Sequence, residues 1–289
     1  MNKQVLNKLP LPITIGSVQL LIGAFYVQVM WAANFRARPE SSFFSNPAVK
    51  SVGLMHSLGQ LASMVSLNAG SVAFTHIVKA MEPFFSAGIS ALVFKKLMNP
   101  IVYATLIPVV AGVGIACWAD VSFTWIGFLS AMFSNLCFPS RAVFSKIVMN
   151  RGGISAANLY GLVTREAFKF AIPFIFFEMF TTSESFGNLW KLASESSGGD
   201  FNLAKAIVFS GLFHYLNNEV MFLALSNVHP VTLAVGNTMK RVFIIVASII
   251  VFNTKVAPIT VLGSSVGIGG VLLYSLTKQH YEKLEFTNK

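Results

Sequence analysis

Three cationic side chains lie inside apolar segments of this chain. Lys240 and Arg241 are adjacent within the run 235–246, and Lys79 lies within 75–85. Runs of this kind are typical of membrane-spanning helices, where a charged side chain costs about 2.5–3.5 kcal/mol. Two adjacent charges there need a functional reason. The three cations predict an anion-binding site at mid-depth in a membrane protein.

These cations have the chemistry of a phosphate site. The planar guanidinium of Arg241 can hold two phosphate oxygens at once, and a lysine adds a compact charge. Lys79 also has a local alternative, because Glu82 lies three residues further along the same helix face. Lys240 and Arg241 have no acid within one helical turn, and they lie too far from the helix ends to reach water. Anion binding is therefore favoured for this pair, and an ion pair with Glu82 would not exclude it for Lys79.

Other polar residues in the apolar segments are less decisive. Arg141 and Lys146 lie near one end of a segment, where they would either line a pathway or contact lipid headgroups. Glu219 is an acid at membrane depth and a candidate gate or counter-charge. A local ion-pair network is expected at three residues: Arg165, Glu166 and Lys169. Four histidines are expected to pack between helices or at the interface: His56, His76, His214 and His229.

No set of residues indicates catalysis. The sequence lacks a glycine-rich phosphate loop, paired aspartates for a metal-bound diphosphate, and a nucleophile–base–acid trio. With eleven acidic residues in all, an enzyme such as a membrane transferase is not expected, and neither is a cofactor or a metal. A channel is an alternative of another class. Channels use rings of repeated polar positions, whereas this chain has one asymmetric cation cluster.

The composition places these residues in a membrane protein. The 289 residues are 54% hydrophobic with a mean hydropathy of +0.67, and only 11% are charged, against about a quarter in a soluble domain. The net charge of +10 does not indicate nucleic-acid binding. The basic residues are scattered between apolar stretches, and no stacking motif or zinc spacing accompanies them.

Nine apolar spans each approach the ~20 residues that a helix needs to cross hydrocarbon. They cover residues 11–33, 49–70, 73–94, 101–118, 123–145, 158–179, 203–225, 229–252 and 258–277. Pro83 should kink the span that carries Lys79, because proline removes a helical hydrogen bond. The polar connection 180–202 is expected to be a flexible linker.

The basic residues of the connections alternate in density. One side holds Arg36, Arg38, Lys95, Lys96, Lys146, Arg151, Lys278, Lys283 and Lys289, and the other holds Lys3, Lys8, Lys191 and Lys255. The positive-inside rule assigns the first side to the cytoplasm, matrix or stroma. The C-terminus is therefore predicted to lie inside.

A weak internal repeat indicates the architecture. A shift of 158 residues aligns 67–113 with 225–271 without a gap and with ten identities. The aligned spans are the third and the eighth, and this odd separation of five puts the copies in opposite orientations, as in many secondary transporters. Two five-helix units are expected, 1–148 and 149–289, with a first helix absent from this chain. The shift also places Lys79 and the Lys240–Arg241 pair on corresponding helices.

At these residues the chain resembles the plastidic phosphate translocator family, within the drug/metabolite transporter superfamily. The resemblance is carried by four motifs, at 74–85, 122–135, 140–146 and 230–241. It implies an all-α membrane protein of ten helices in two inverted five-helix repeats. It implies exchange of inorganic phosphate for phosphorylated three-, five- or six-carbon metabolites across the inner plastid envelope. The family's phosphate-holding residues match Lys79, Lys240 and Arg241.

Three positions depart from the family pattern where the resemblance places the organic part of the substrate. Gln60 stands where a histidine is usual, Ser63 replaces a threonine one turn on, and Asn217 replaces a tyrosine. An amide at the position of Gln60 resembles phosphoenolpyruvate-type members. We therefore expect Gln60, Ser63 and Asn217 to contact the organic moiety, and Arg141 to be a candidate pathway residue.

The predicted activity is obligate antiport of inorganic phosphate against triose phosphate, 3-phosphoglycerate or phosphoenolpyruvate by alternating access. An exchanger of nucleotide sugars or other phosphorylated sugars is the alternative. The resemblance implies a multi-pass protein of the inner envelope of a chloroplast or relict plastid, with its C-terminus on the stromal side. The chain is expected to work as a monomer in a lipid bilayer, with small phosphorylated metabolites and no nucleic acid as partners.

Overall fold

The computed structural model describes residues 1–95, 97–227, 230–253 and 256–287, apart from the side chains of 230–235, 238 and 285–287. Lys96, His229, Lys255 and Lys289 lie outside the described residues. Within these ranges the chain is helical and has no strand. The fourteen helices are α1 (Asn2–Lys8), α2 (Pro12–Ala32), α3 (Ser41–Ser45), α4 (Pro47–Ala69), α5 (Val72–Lys79), α6 (Glu82–Phe94), α7 (Pro100–Ala104), α8 (Leu106–Trp118), α9 (Trp125–Gly152), α10 (Ala156–Thr181), α11 (Phe186–Ser197), α12 (Asp200–Asn227), α13 (Pro230–Phe252) and α14 (Pro258–Thr287).

Within the described residues, each of the nine predicted spans falls on these helices. Four stretches are long and apolar enough to cross a membrane: Pro12–Ala32, Val72–Phe94, Pro100–Trp118 and Pro258–Leu284. Several of the other long helices carry polar residues at buried positions, such as Gln60 and Glu219, which lower their mean hydropathy. The all-α class is confirmed for the described residues.

The span that carries Lys79 is broken at the predicted place. After α5 the amides of Ala80 and Met81 donate to Ile77 and Val78, three residues back, at 2.9 and 3.1 Å. The α-helical ladder is thereby interrupted, and α6 restarts with Pro83 in its first turn. Proline suits this position because the first turn leaves its N–H groups without helical partners. The break leaves Lys79 at the end of one helix and Glu82 at the start of the next.

The prediction of a flexible linker at 180–202 is wrong, because that segment contains α11. Its helix begins after Ser185, whose hydroxyl accepts from the amide of Asn188, and it ends at Gly198 in the left-handed conformation with φ 77°. Leu189, Trp190 and Ala193 pack against the buried side chains of α1. The segment is polar in composition, but it forms an amphipathic helix with one narrow apolar face. The composition alone did not indicate that helix.

The described chain divides into two compact units. Unit 1 contains residues 1–68 and 140–226, and unit 2 contains 69–139 and 227–289. The division falls inside α9, directly after Pro139. Each unit takes helices from both halves of the chain, so the units differ from the predicted repeats 1–148 and 149–289, which stay a prediction.

Unit 1 contains two prominent cores. One surrounds the buried rings of Tyr160 and Tyr215 on α10 and α12. The other joins α1 and α11 to the start of α12.

In unit 2, α8 and α14 pack backbone to backbone. A Cβ atom added at Gly112 would overlap the backbone of Gly267, and one added at Gly270 would lie 2.8 Å from the amide nitrogen of Val109. Membrane helices use such small residues to approach closely and gain van der Waals contact. The core of unit 2 then forms around α5, α8, α13 and α14.

Candidate functional site

The break between α5 and α6 and the middle of α13 position the charged residues of unit 2. Lys79 is the last residue of α5, Glu82 is the first of α6, and Lys240 and Arg241 lie in the eleventh and twelfth positions of α13. Because α5 packs against α13, the two predicted charge clusters come from neighbouring helices. The sequence placed them on corresponding spans, and the structure brings both into one compact unit.

Arg241 forms an ion pair with Glu82 through its Nη2 and the carboxylate Oε2. The arginine side chain is 14% exposed, and the glutamate side chain is 38% exposed. No acid lies within one helical turn of Arg241, because its partner is 159 residues away in the chain. The predicted contact between Glu82 and Lys79 stays a prediction.

Lys79 and His76 share the neighbourhood of this ion pair. The Lys79 ammonium lies 4.8 Å from the centre of the Phe138 ring, a distance at which a cation is attracted to the ring face. His76 lies one turn before Lys79 and is within electrostatic reach of all three cations. Its Nδ1 is buried and has no hydrogen-bond partner among the described residues. The sequence pattern predicted that His76 packs between helices, and it did not indicate this position beside the cations.

The summed charge of the side chains in this neighbourhood can be compared with the charge of a phosphate group. Three cations and the Glu82 carboxylate together carry two positive charges. A phosphomonoester carries between one and a half and two negative charges near neutral pH, by the usual estimate of about −1.5 to −2. The cluster can therefore neutralise one phosphate dianion, with the guanidinium of Arg241 as a two-pronged donor.

A second polar cluster lies in unit 1 around Arg141 of α9. Its Nη1 lies 2.8 Å from Nδ1 of His56 and donates to Oδ1 of Asn218 at 3.0 Å. Arginine can only donate, so His56 must accept at Nδ1 and carry its proton on Nε2. That nitrogen lies 3.4 Å from the Tyr160 hydroxyl. The guanidinium also lies 5.3 Å from the centre of the Phe222 ring.

Glu219 in α12 has a clear partner in unit 1. Its carboxylate lies 2.5 Å from Nη2 of Arg36, and the two side chains are 8% and 19% exposed. The hydroxyl of Tyr215 donates to the same carboxylate at 3.5 Å. Of the two roles considered for Glu219, a counter-charge is the one that this contact supports. Arg36 was predicted only as a basic residue of a connection, and in the structure it is the cation of this buried ion pair.

The residues expected to contact an organic moiety differ in their surroundings. Gln60 is 4% exposed, and its amide donates to Oε1 of Gln19 at 2.7 Å. Ser63 is 6% exposed, and its hydroxyl donates to the Gly59 carbonyl at 2.8 Å. Asn217 is exposed. All three belong to unit 1.

Gln19 and Asn218 were missed by the sequence reasoning. Gln19 is fully buried and donates onward to the Ser210 hydroxyl at 2.7 Å. A glutamine in the most apolar part of α2 was the available signal, because a buried amide needs partners. Asn218 follows Asn217 and turns about 100° around the helix, so it is the neighbour that reaches Arg141.

The predicted network in the middle of α10 is confirmed in part. Lys169 and Glu166 form an ion pair at 2.6 Å. Arg165 instead lies 4.8 Å from the centre of the Phe44 ring. Among the described residues, no group of three His, Cys, Asp or Glu side chains could hold a metal ion.

The Triose-phosphate Transporter family model matches residues 1–275. The chain is 39% identical to the non-green plastid triose phosphate/phosphate translocator of Brassica oleracea var. botrytis, over 96% of this chain and 68% of that protein. It is 38% identical to phosphoenolpyruvate/phosphate translocator 1 of Arabidopsis thaliana, over 96% and 67%. It is 33% identical to glucose-6-phosphate/phosphate translocator 1 of the same plant, over 96% and 70%.

A solved crystal structure also matches this fold. It superposes with a TM-score of 0.55 over 93% of this chain and 88% of that chain, at 13% sequence identity. At that identity the likeness shows a shared fold alone. The three curated relatives differ in the organic phosphate in their names, and all three are phosphate translocators.

Proposed function

The chain belongs to the triose-phosphate transporter family, and we propose that it is an obligate antiporter of inorganic phosphate and phosphorylated three-carbon metabolites. The proposed partners are triose phosphate, 3-phosphoglycerate and phosphoenolpyruvate, exchanged by alternating access. The observation that carries the proposal is the charge cluster of unit 2. Lys79, Lys240 and Arg241, offset by Glu82, match the charge of one phosphate dianion.

We propose that Lys79, Lys240 and Arg241 hold the phosphate group. Phosphate is also what the names of the three relatives have in common. Gln60, Ser63, Asn217 and Arg141 are proposed to set which organic group is accepted. Arg141 is the cationic member of this second set, so a substrate carboxylate would favour it.

The proposed architecture is an inverted repeat of five and five helices. A shift of 158 residues carries 72–94 onto α13 and 100–118 onto the start of α14. Under this shift, 112 corresponds to 270 and 109 to 267. The contacts are reciprocal, because Gly112 meets Gly267 while Gly270 meets Val109. Reciprocal contacts are what a two-fold axis between the copies would produce.

The same shift pairs the other helices and supports a different repeat boundary. It carries α4 onto α12, and by chain order α2 corresponds to α10. Among the long helices of the described residues, α9 is then left without a counterpart. We propose that the second repeat begins with α9, ahead of the boundary after 148 that the spans predicted.

The proposed location is the inner envelope of a plastid, with the C-terminus on the stromal side and the monomer as the working unit. The relatives' names describe chloroplastic proteins, and the four apolar helices suit a bilayer. A nucleotide-sugar exchanger is the less favoured alternative, because the three relatives are translocators of simple phosphoesters.

A counter-exchange panel tests this proposal. Purified protein would be reconstituted in liposomes preloaded with labelled phosphate, and efflux measured against external triose phosphate, 3-phosphoglycerate, phosphoenolpyruvate, glucose 6-phosphate and a nucleotide sugar. We expect the three-carbon phosphates to drive efflux at the lowest concentrations. Preferential exchange with the nucleotide sugar would overturn the proposal.

A further inference from the structure

Unit 2 contains a groove that the proposed phosphate site does not use. Its volume is about 460 Å³, and α5, α13 and α14 form its walls together with the turn after α8. Pockets of about 300–1,000 Å³ are of the size that holds small ligands. The long walls are apolar, and four isoleucines supply much of their surface: Ile77, Ile245, Ile249 and Ile268.

One end of the groove is polar and presents acceptors. Ser122 donates to the Asp120 carboxylate through its hydroxyl at 2.6 Å and its backbone amide at 2.8 Å, both at Oδ1. Ser71 joins this end through the Ser122 hydroxyl, 3.0 Å away. Both bonds within the turn use one carboxylate oxygen. The negative charge of Asp120 therefore favours a ligand group that donates, such as a hydroxyl or an ammonium, and disfavours an anion.

A buried hydroxyl in the wall also points to a ligand. Thr260 lines the groove and is 1% exposed. Its Oγ1 has no hydrogen-bond partner among the described residues. A buried hydroxyl without a partner is unfavourable. A polar group of a bound molecule near the same end would satisfy it.

The surroundings of the groove match the edge of a bilayer. Trp118 and Trp125 flank the Asp120 turn and are 92% and 68% exposed, and exposed tryptophans collect at the headgroup level of membranes. Val246 and Val261 are about half exposed and form the mouth of the groove. The groove therefore opens toward hydrocarbon, with its polar end at headgroup depth.

We propose that this groove binds one lipid molecule. This proposal rests on the proposed membrane location of the chain. One acyl chain lies along the isoleucines between α13 and α14. The headgroup lies at Asp120 and donates to its carboxylate, and a glycerol or ester oxygen lies at the Thr260 hydroxyl. The lipid is zwitterionic or uncharged, because an anionic headgroup would face the Asp120 carboxylate.

Lipid retention by the purified protein tests the proposal without any transport step. The full chain would be exchanged into mixed micelles with phosphatidylethanolamine and phosphatidylglycerol of identical acyl chains, washed, and weighed intact by native mass spectrometry. We expect one retained phosphatidylethanolamine and at least tenfold less phosphatidylglycerol. Retention of neither lipid, or of both equally, would overturn the proposal.

Matched variants place the lipid in the groove. Ser264→Phe fills the groove and should remove the retained lipid, whereas Val266→Phe, on the same helix outside the groove, should keep it. Ala257→Phe provides a second blocking variant if Ser264→Phe elutes as misfolded protein. Retention by a folded blocking variant at the wild-type level would contradict the site.

Two further variants test the headgroup contacts. Asp120→Asn should bring phosphatidylglycerol retention up to that of phosphatidylethanolamine, and Thr260→Val should weaken retention of both lipids. An unchanged preference in Asp120→Asn would overturn the headgroup assignment. Lost phosphate exchange with normal lipid retention would count only against the proposed function, and lost retention with normal exchange only against this site.

Discussion

Of the three cations proposed to hold phosphate, Arg241 forms an ion pair with Glu82, an acid on another helix. The pair with Glu82 engages Nη2 of the guanidinium. Lys79 contacts the face of an aromatic ring, and this contact does not remove the positive charge of its ammonium. A binding site for phosphate requires such side chains to be held in place while they stay able to exchange partners.

Loss of any one cation should remove most exchange. For Lys79→Ala, Lys240→Ala and Arg241→Ala we expect a tenfold to hundredfold rise in the phosphate concentration needed, since a charge-assisted contact is worth about 1.5–3 kcal/mol. Arg241→Lys should also be impaired, because it loses the two-pronged geometry. Exchange would be measured in liposomes at low phosphate, with matched protein levels in the membrane.

Lys169→Ala is the matched control for these variants. Lys169 also carries a charge within a long helix, but its side chain is 50% exposed and pairs with Glu166 in unit 1. Exchange should remain near the wild-type rate. If Lys79→Ala, Lys240→Ala or Arg241→Ala exchanged phosphate as well as Lys169→Ala does, the proposed role of that residue would be wrong.

Gln60 should tune selectivity and leave phosphate affinity almost unchanged. Its side chain is a neutral amide that donates to Gln19, so it carries no charge that would attract the phosphate group. Gln60→His changes the amide to an imidazole and should shift the ratio of triose phosphate to phosphoenolpyruvate transport severalfold. The ratio would be measured by competition in preloaded liposomes. If both substrates were carried at the original ratio, Gln60 would have no contact with the organic moiety.

At the scale of helices, α8 and α14 depend on glycine at particular positions. Gly112→Ala would push a methyl group into the backbone of α14, whereas a Cβ at Gly114 meets nothing within 4 Å. Overpacking typically costs about 1–3 kcal/mol. We therefore expect Gly112→Ala to lower the melting temperature of the purified protein by several degrees and Gly114→Ala to leave it unchanged or slightly raised. Equal melting temperatures would show that this contact contributes little.

The same scale shows what the sequence could predict. Spans and their ends followed from apolar length and from proline chemistry, as the break before Pro83 illustrates. The helix at 186–197 was missed, because its apolar face of a few side chains is obscured by serines and glycines. The Arg241–Glu82 pair was missed for a different reason, since only folding brings residues 159 positions apart into contact.

At the scale of the whole molecule, the charge of the proposed phosphate site bears on how exchange would be coupled. Lys79, Lys240, Arg241 and Glu82 together give the proposed site a net charge of two positive. Removing such charges from water costs several kcal/mol for each ion. A bound dianion cancels them, so an occluded state would be accessible only to the loaded carrier. Each ~1.4 kcal/mol of difference slows the empty carrier about tenfold.

Strict coupling is therefore expected in liposomes. Uptake of labelled phosphate should be negligible into empty liposomes and rapid into liposomes preloaded with phosphate or a transported phosphoester. The comparison needs only wild-type protein and two internal buffers of equal ionic strength. Comparable uptake into empty liposomes would favour a uniporter or a channel.

The ion pair between Arg241 and Glu82 also bears on the affinity of the proposed site for phosphate. A carboxylate fixed to the same protein competes for the guanidinium at a high effective concentration, which no dilution outside can reduce. A phosphate group that binds Arg241 would have to displace the Glu82 carboxylate. The return of that carboxylate to Arg241 would promote phosphate release. The result is a modest net affinity from strong individual bonds. A carrier gains from that balance, because a site that held phosphate with its full strength would load readily and seldom unload.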